Sequence, residues 1–120
     1  MTAIGLFCGL GFGIYEAGSL TGAALQSGAM PLFSWGMFER FFAILFHAAT
    51  GALLGYSLVR GLKFVLVFWP MAVIVHSFVN YLIVFLHRNV IDVAIFELMV
   101  AFVNIIFVLV VYLIVGRSRT

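Results

Sequence analysis

The sequence predicts an all-α polytopic membrane protein with four transmembrane helices. Three observations predict it. Only 8% of the 120 residues are charged while 66% are hydrophobic, against roughly 25% charged in a soluble domain. The apolar residues gather into four runs, each close to the roughly 20 residues that cross a hydrocarbon core about 30 Å thick. The charges and turn-formers gather mainly between and at the ends of these runs. The expectation is a single transmembrane domain over residues 1–120, with helices at about 3–20, 39–60, 64–87 and 93–116.

The remaining totals narrow the function classes. A net charge of +2, scattered along the chain, offers no basic patch for nucleic acid. The single cysteine, Cys8, excludes an internal disulfide and a multi-cysteine metal site. It lies among small residues and reads as packing. The N-terminus lacks the basic region and cleavage site of a signal peptide, and none is expected.

In the first run, Gly5, Gly9 and Gly13 recur every four residues. This small-xxx-small pattern lets two membrane helices approach closely. Glu16, one of four acidic residues, lies near the far end of the run. Residues 21–38 carry Gly22, Gly28, Pro31, Gly36 and Trp35. They read as a loop or an interfacial segment.

Glu39 and Arg40 open the second run, and an acidic residue suits a helix N-terminus. His47 follows Arg40 by seven residues and shares its face. Arg60 closes the run, and Gly61, Leu62 and Lys63 make a tight turn. The third run contains Pro70, whose lost backbone bond neighbouring helices must offset. His76 and Asn80 lie four apart on one face, with His87 and Arg88 at the wet end. Asn89 to Asp92 form the last turn. The fourth run carries Glu97, expected to be structural or interfacial, and Asn104 seven residues on.

Cytoplasmic loops collect Lys and Arg. Arg60, Lys63, Arg117 and Arg119 fall on the side of both termini, and Arg40 and Arg88 on the other. Both termini are therefore expected in the cytoplasm. On these spans every intramembrane ionisable group falls in the outer half of the bilayer. That points to one polar cavity opening outward. Polar groups inside a membrane are costly and usually functional.

A carboxylate and imidazoles in such a cavity suit general acid–base chemistry. Glu16 is the candidate to take a proton from water, and His47 to orient that water or shuttle the proton. His76 and Asn80 are the candidate donors to an oxyanion. Arg40 is expected to hold a carboxylate, either Glu39 or a substrate group; a structural ion pair between Arg40 and Glu16 is the plain alternative. That set describes hydrolysis of an amide inside the membrane.

These residues also resemble a known group. The patterns GFGIYEA at 11–17, ERFFAILFHAATGALLGY at 39–56 and HSFVN at 76–80 resemble the glutamic-type intramembrane proteases. These form the superfamily of CAAX-processing and bacteriocin-processing enzymes, and the likeness is to its PrsW-like and YhfC-like branches. The resemblance implies a metal-independent endopeptidase in a prokaryotic plasma membrane, with no cofactor and a membrane-bound peptide or protein as substrate. It implies Glu16 and His47 on the water, His76 and Asn80 on the oxyanion, and Glu39 and Arg40 as supporting charges. The superfamily's paired glutamates are reduced here to Glu16, followed by Ala17.

Two other readings use the same residues. A non-enzymatic membrane subunit would bind a partner helix, a lipid head group or a proton, and the Gly5/Gly9/Gly13 face favours it. A zinc site from His47, His76 and Glu16 is chemically suitable, but no His-Glu-x-x-His pair supports it.

Overall fold

The computed structural model describes residues 1–117. Four helices follow one another: α1 (Thr2–Gln26), α2 (Trp35–Arg60), α3 (Leu62–His87) and α4 (Val93–Gly116). All four are long and apolar enough to cross a membrane, and among the described residues there is no strand. The exposed surface is dense with large apolar side chains such as Phe7, Tyr15, Ile74, Phe102 and Tyr112. In water such a surface would aggregate; in a bilayer it is the solvent-facing side. The protein is an integral membrane protein. Arg119, used above to orient the chain, lies outside the described residues.

The helix bounds differ from expectation on one side of the bundle. Helix α1 continues six residues past Leu20, and α2 begins four residues before Glu39. Segment 21–38 is therefore a short loop flanked by helix. The local reasons are plain. Ala23, Ala24, Leu25 and Gln26 are strong helix formers and outweigh Gly22. The helix ends just before Gly28, at φ +72°, a conformation that suits glycine. Ser34 caps α2, its hydroxyl accepting from the Met37 N–H.

The other connections are tight. Gly61 alone separates α2 from α3, at φ +109°. Asn89, at φ +54°, ends α3 while Val90 N–H donates to the Phe85 carbonyl and Asn89 N–H to that of Leu86. This is a Schellman closure with Asn in the left-handed position. Asp92 Oδ1 accepts from the Ile95 N–H at 2.8 Å and starts α4.

Helix α2 is the hub. It packs on each of the other three, α3 also meets α4, and α1 packs on α2 alone. One core cluster joins Phe46, Ala49 and Leu53 of α2 to Ala72 of α3 and Phe107 and Val111 of α4. A second joins Leu82 of α3 to Phe96 and Val100 of α4.

The α1–α2 contact has no apolar side chains at its centre. A Cβ on Gly5 would run into the Gly51 carbonyl, one on Gly9 into the His47 carbonyl, and one on Gly55 into that of Met1. The glycine stripe of α1 therefore seats on Gly51 and Gly55 of the same chain. That placement corrects the use of this face as evidence for a partner helix. Backbones this close gain dispersion and Cα–H···O contacts in place of side-chain burial. Cys8 is exposed, which corrects its reading as a packing residue.

Candidate active site

The α1–α2 seam positions the first pair. Gly13 is buried, and a Cβ there would press on Ile44 Cα and on the His47 side chain. The missing side chain lets the His47 ring lie against the α1 backbone. Three residues on, Glu16 returns to the same face of α1. His47 Nε2 stands 2.9 Å from Glu16 Oε2, a hydrogen-bond distance for a ring nitrogen and a carboxylate. The His47 side chain is nearly buried, and that of Glu16 is 32% exposed.

The third helix brings a second imidazole. The His76 and His47 ring centroids are 5.3 Å apart, and His76 also tilts against Phe46 at 5.5 Å. Phe46 is itself fixed by Phe107 at 4.6 Å, and Phe12 meets His47 edge-on at 5.0 Å. Aromatic packing thus holds both imidazoles, while only His47 has a carboxylate partner.

These groups line one cavity of about 200 Å³, together with Asn80, Arg40 and Glu39. Asn80 lies one turn from His76 on the same face and is exposed. No hydrogen bond joins it to His76. Arg40 pairs with its neighbour Glu39, and the partner of Glu16 is His47. The alternative Glu16–Arg40 ion pair is not formed. Three histidine or acidic side chains arranged to hold a metal ion are not found among the described residues.

The longer helices change the depth of the site. Glu16 stands ten residues before the end of α1, His47 twelve after the start of α2, and His76 eleven before the end of α3. Each is about 15–18 Å from its helix end. The Glu16–His47–His76 group therefore sits near mid-helix, just on the loop side of each helix midpoint and deeper than the shorter expected spans put it.

The chain matches no protein-family model, no curated protein and no solved structure.

The lining also includes residues outside the expected set, among them Asn104 and Phe46. Asn104 is 2% exposed; its Nδ2 donates to the Val100 carbonyl at 2.8 Å, and its side chain borders the cavity. Its signal was the seven-residue spacing from Glu97 on one face of α4. Phe46 borders it too, but a phenylalanine in an apolar run carries no distinguishing signal. Glu97 is 3% exposed and its Oε2 has no hydrogen-bond partner. Of the two expected positions for it, the interfacial one is replaced by burial.

Proposed function

We propose that this protein is an intramembrane hydrolase of the glutamic type, cleaving an amide bond of a membrane-bound peptide or protein. The observation that carries this reading is the 2.9 Å approach of His47 Nε2 to Glu16 Oε2 on a cavity that His76 and Asn80 also line. A carboxylate oriented by an imidazole is the arrangement that activates a nucleophile or a water.

In this reading the Glu16 oxygen not bonded to His47 takes a proton from water as the hydroxide adds to the substrate carbonyl. His76 and Asn80 donate to the oxyanion that forms. The proton taken by Glu16 is relayed through its hydrogen bond to His47 and on to the leaving nitrogen, the C–N bond breaks, and a carboxylic acid and an amine result with both side chains back in their starting protonation states. Glu39 and Arg40 act as supporting charges at the cavity's loop end. The resemblance to the glutamic-type intramembrane proteases supports the same assignment, and the positive-inside bias of Arg60, Lys63 and Arg117 supports cytoplasmic termini.

The test is cleavage of a single-span peptide by purified protein in liposomes. Glu16→Gln and His47→Ala should each abolish it. Unchanged cleavage in both variants removes the proposed roles. Copurification at fixed stoichiometry with other membrane proteins, without any cleavage, supports the subunit reading instead.

A further inference from the structure

Helix α4 is the most apolar of the four, and its polar side chains besides Tyr112 are Glu97 and Asn104. Asn104 stands eleven residues after the start of α4, about 16–17 Å from its loop-side end. Glu16, His47 and His76 lie at the same depth on the other three helices. Each helix thus puts one polar group into a single layer, and all four groups line the same cavity.

One hydrogen bond fixes the direction of the Asn104 amide. Nδ2 donates to the Val100 carbonyl at 2.8 Å. A carbonyl can only accept, so the amide oxygen is the end turned away from it. The bond lies within α4, so Asn104 does not tie one helix to another, a common use of asparagine in membrane bundles. Its Oδ1 accepts no hydrogen bond among the described residues. Nor is that oxygen sealed, as the unpartnered Thr50 Oγ1 and Glu97 Oε2 are. The residue is 2% exposed, and the space it borders is the cavity. A polar oxygen so placed calls for a donor from whatever fills that cavity.

We propose that Asn104 Oδ1 holds the attacking water of the site. The proposal rests on the hydrolase reading for the fate of that water. A buried water is kept by about two to four polar partners. One of its hydrogens goes to the free Glu16 oxygen, which takes it as the bond to the substrate carbon forms. The other hydrogen needs an acceptor that stays in place. His47 is engaged with Glu16, and His76 and Asn80 serve as donors to the oxyanion in that reading. Glu39 is paired with Arg40 and lies eight residues nearer the loop than His47 on α2, about 12 Å. Asn104 is neutral, so it accepts this hydrogen without competing with Glu16 for the proton. Held at both hydrogens, the water keeps its lone pair toward the substrate carbonyl, and that orientation sets the rate of attack.

The experiment has two readouts on the full chain. Asparagine occurs only at positions 80, 89 and 104. Isotopic labelling of asparagine in nanodiscs therefore gives one side-chain amide signal for each, and Asn104→Leu assigns its own by removing it. The Asn104 amide should show magnetisation transfer from water despite its depth; a dry amide overturns the proposal. The second readout is cleavage of a single-span peptide in liposomes. Asn104→Leu should lower kcat by about 10²-fold or more and leave KM within about twofold. Its melting temperature should not fall, because leucine suits a membrane helix. Asn104→Ser can return its hydroxyl to the Val100 carbonyl, as Ser57 does to that of Leu53 at 2.7 Å, and still present a lone pair. It should recover at least about tenfold in kcat over the leucine variant. A kcat loss that follows a lower melting temperature and is not recovered by serine overturns the proposal, since a purely structural asparagine gives that result. Water contact at Asn104 in a protein that cleaves nothing keeps the water site and removes the hydrolase reading. Cleavage that survives Asn104→Leu unchanged does the reverse.

Discussion

His47 Nε2 and Glu16 Oε2 meet at 2.9 Å across a seam where two helix backbones touch. The residues are 31 positions apart, so only the packing of α1 on α2 brings them together. If they act as one unit, their losses will not add. The single variants Glu16→Gln and His47→Ala and the double variant should lose about the same factor in cleavage, on the order of 10²–10⁴. A double variant slower than either single by the product of their effects would show that the two residues act independently.

The glycine seam should be sensitive to one methyl group. Gly9→Ala drives a Cβ into the His47 carbonyl and should cost about 1–3 kcal/mol, the usual range for overpacking. Gly11→Ala meets nothing within 4 Å and should be neutral or slightly stabilising. Thermal unfolding in detergent separates them. Matching melting temperatures for the two variants would mean that the seam is looser than described.

His76 is held by ring contacts to Phe46 and His47 and makes no hydrogen bond among the described residues. His76→Phe keeps a flat ring of similar size while removing both nitrogens. Stability should change by less than about 1.5 kcal/mol, as for shape-conserving core swaps. Cleavage should fall by about 10²–10³, the loss seen when an oxyanion donor is removed. A variant that cleaves normally would leave His76 a packing residue only.

Arg40 is 14% exposed at its side chain and pairs with Glu39, with Glu97 in electrostatic range. Arg40→Met leaves both carboxyls without their nearby positive charge. Removing one partner of a buried pair costs about 3–5 kcal/mol; the slight exposure here puts the expected loss at the low end. Adding Glu39→Gln should recover part of it. Chemical unfolding of the single and double variants measures both, and an unaltered single variant would place the pair in effectively aqueous surroundings.

Much of the candidate site was legible because its members are polar intruders in apolar runs. Glu16, His47, His76 and Asn80 stand out for that reason alone, and four-residue spacing places His76 and Asn80 on one face of α3. Asn104 carried the same signal, through its spacing from Glu97, yet its place on this cavity depends on how α4 is rotated. Phe46 was illegible: its role comes from the rings around it, and one apolar ring in a membrane run looks like another. The loop-side helix ends were missed for a local reason. Gly22 and Gly36 look like breaks, but flanking helix formers and the Ser34 cap carry the helices through them.

Taken alone, the sequence determined that the chain is all-helical, that it crosses a membrane four times, and which side chains are too polar to lie there idle. Hydropathy and length act residue by residue along a run, so no folding is needed to read them. The tertiary structure alone decided that the glycines of α1 seat on Gly51 and Gly55, that Glu16 reaches His47 while Arg40 turns to Glu39, and that Glu97 is buried beside that pair. Those outcomes depend on the rotation of each helix about its axis and on the distance between axes. Both are set by contacts between residues far apart in the chain, here above all by the absence of a Cβ where α1 crosses α2.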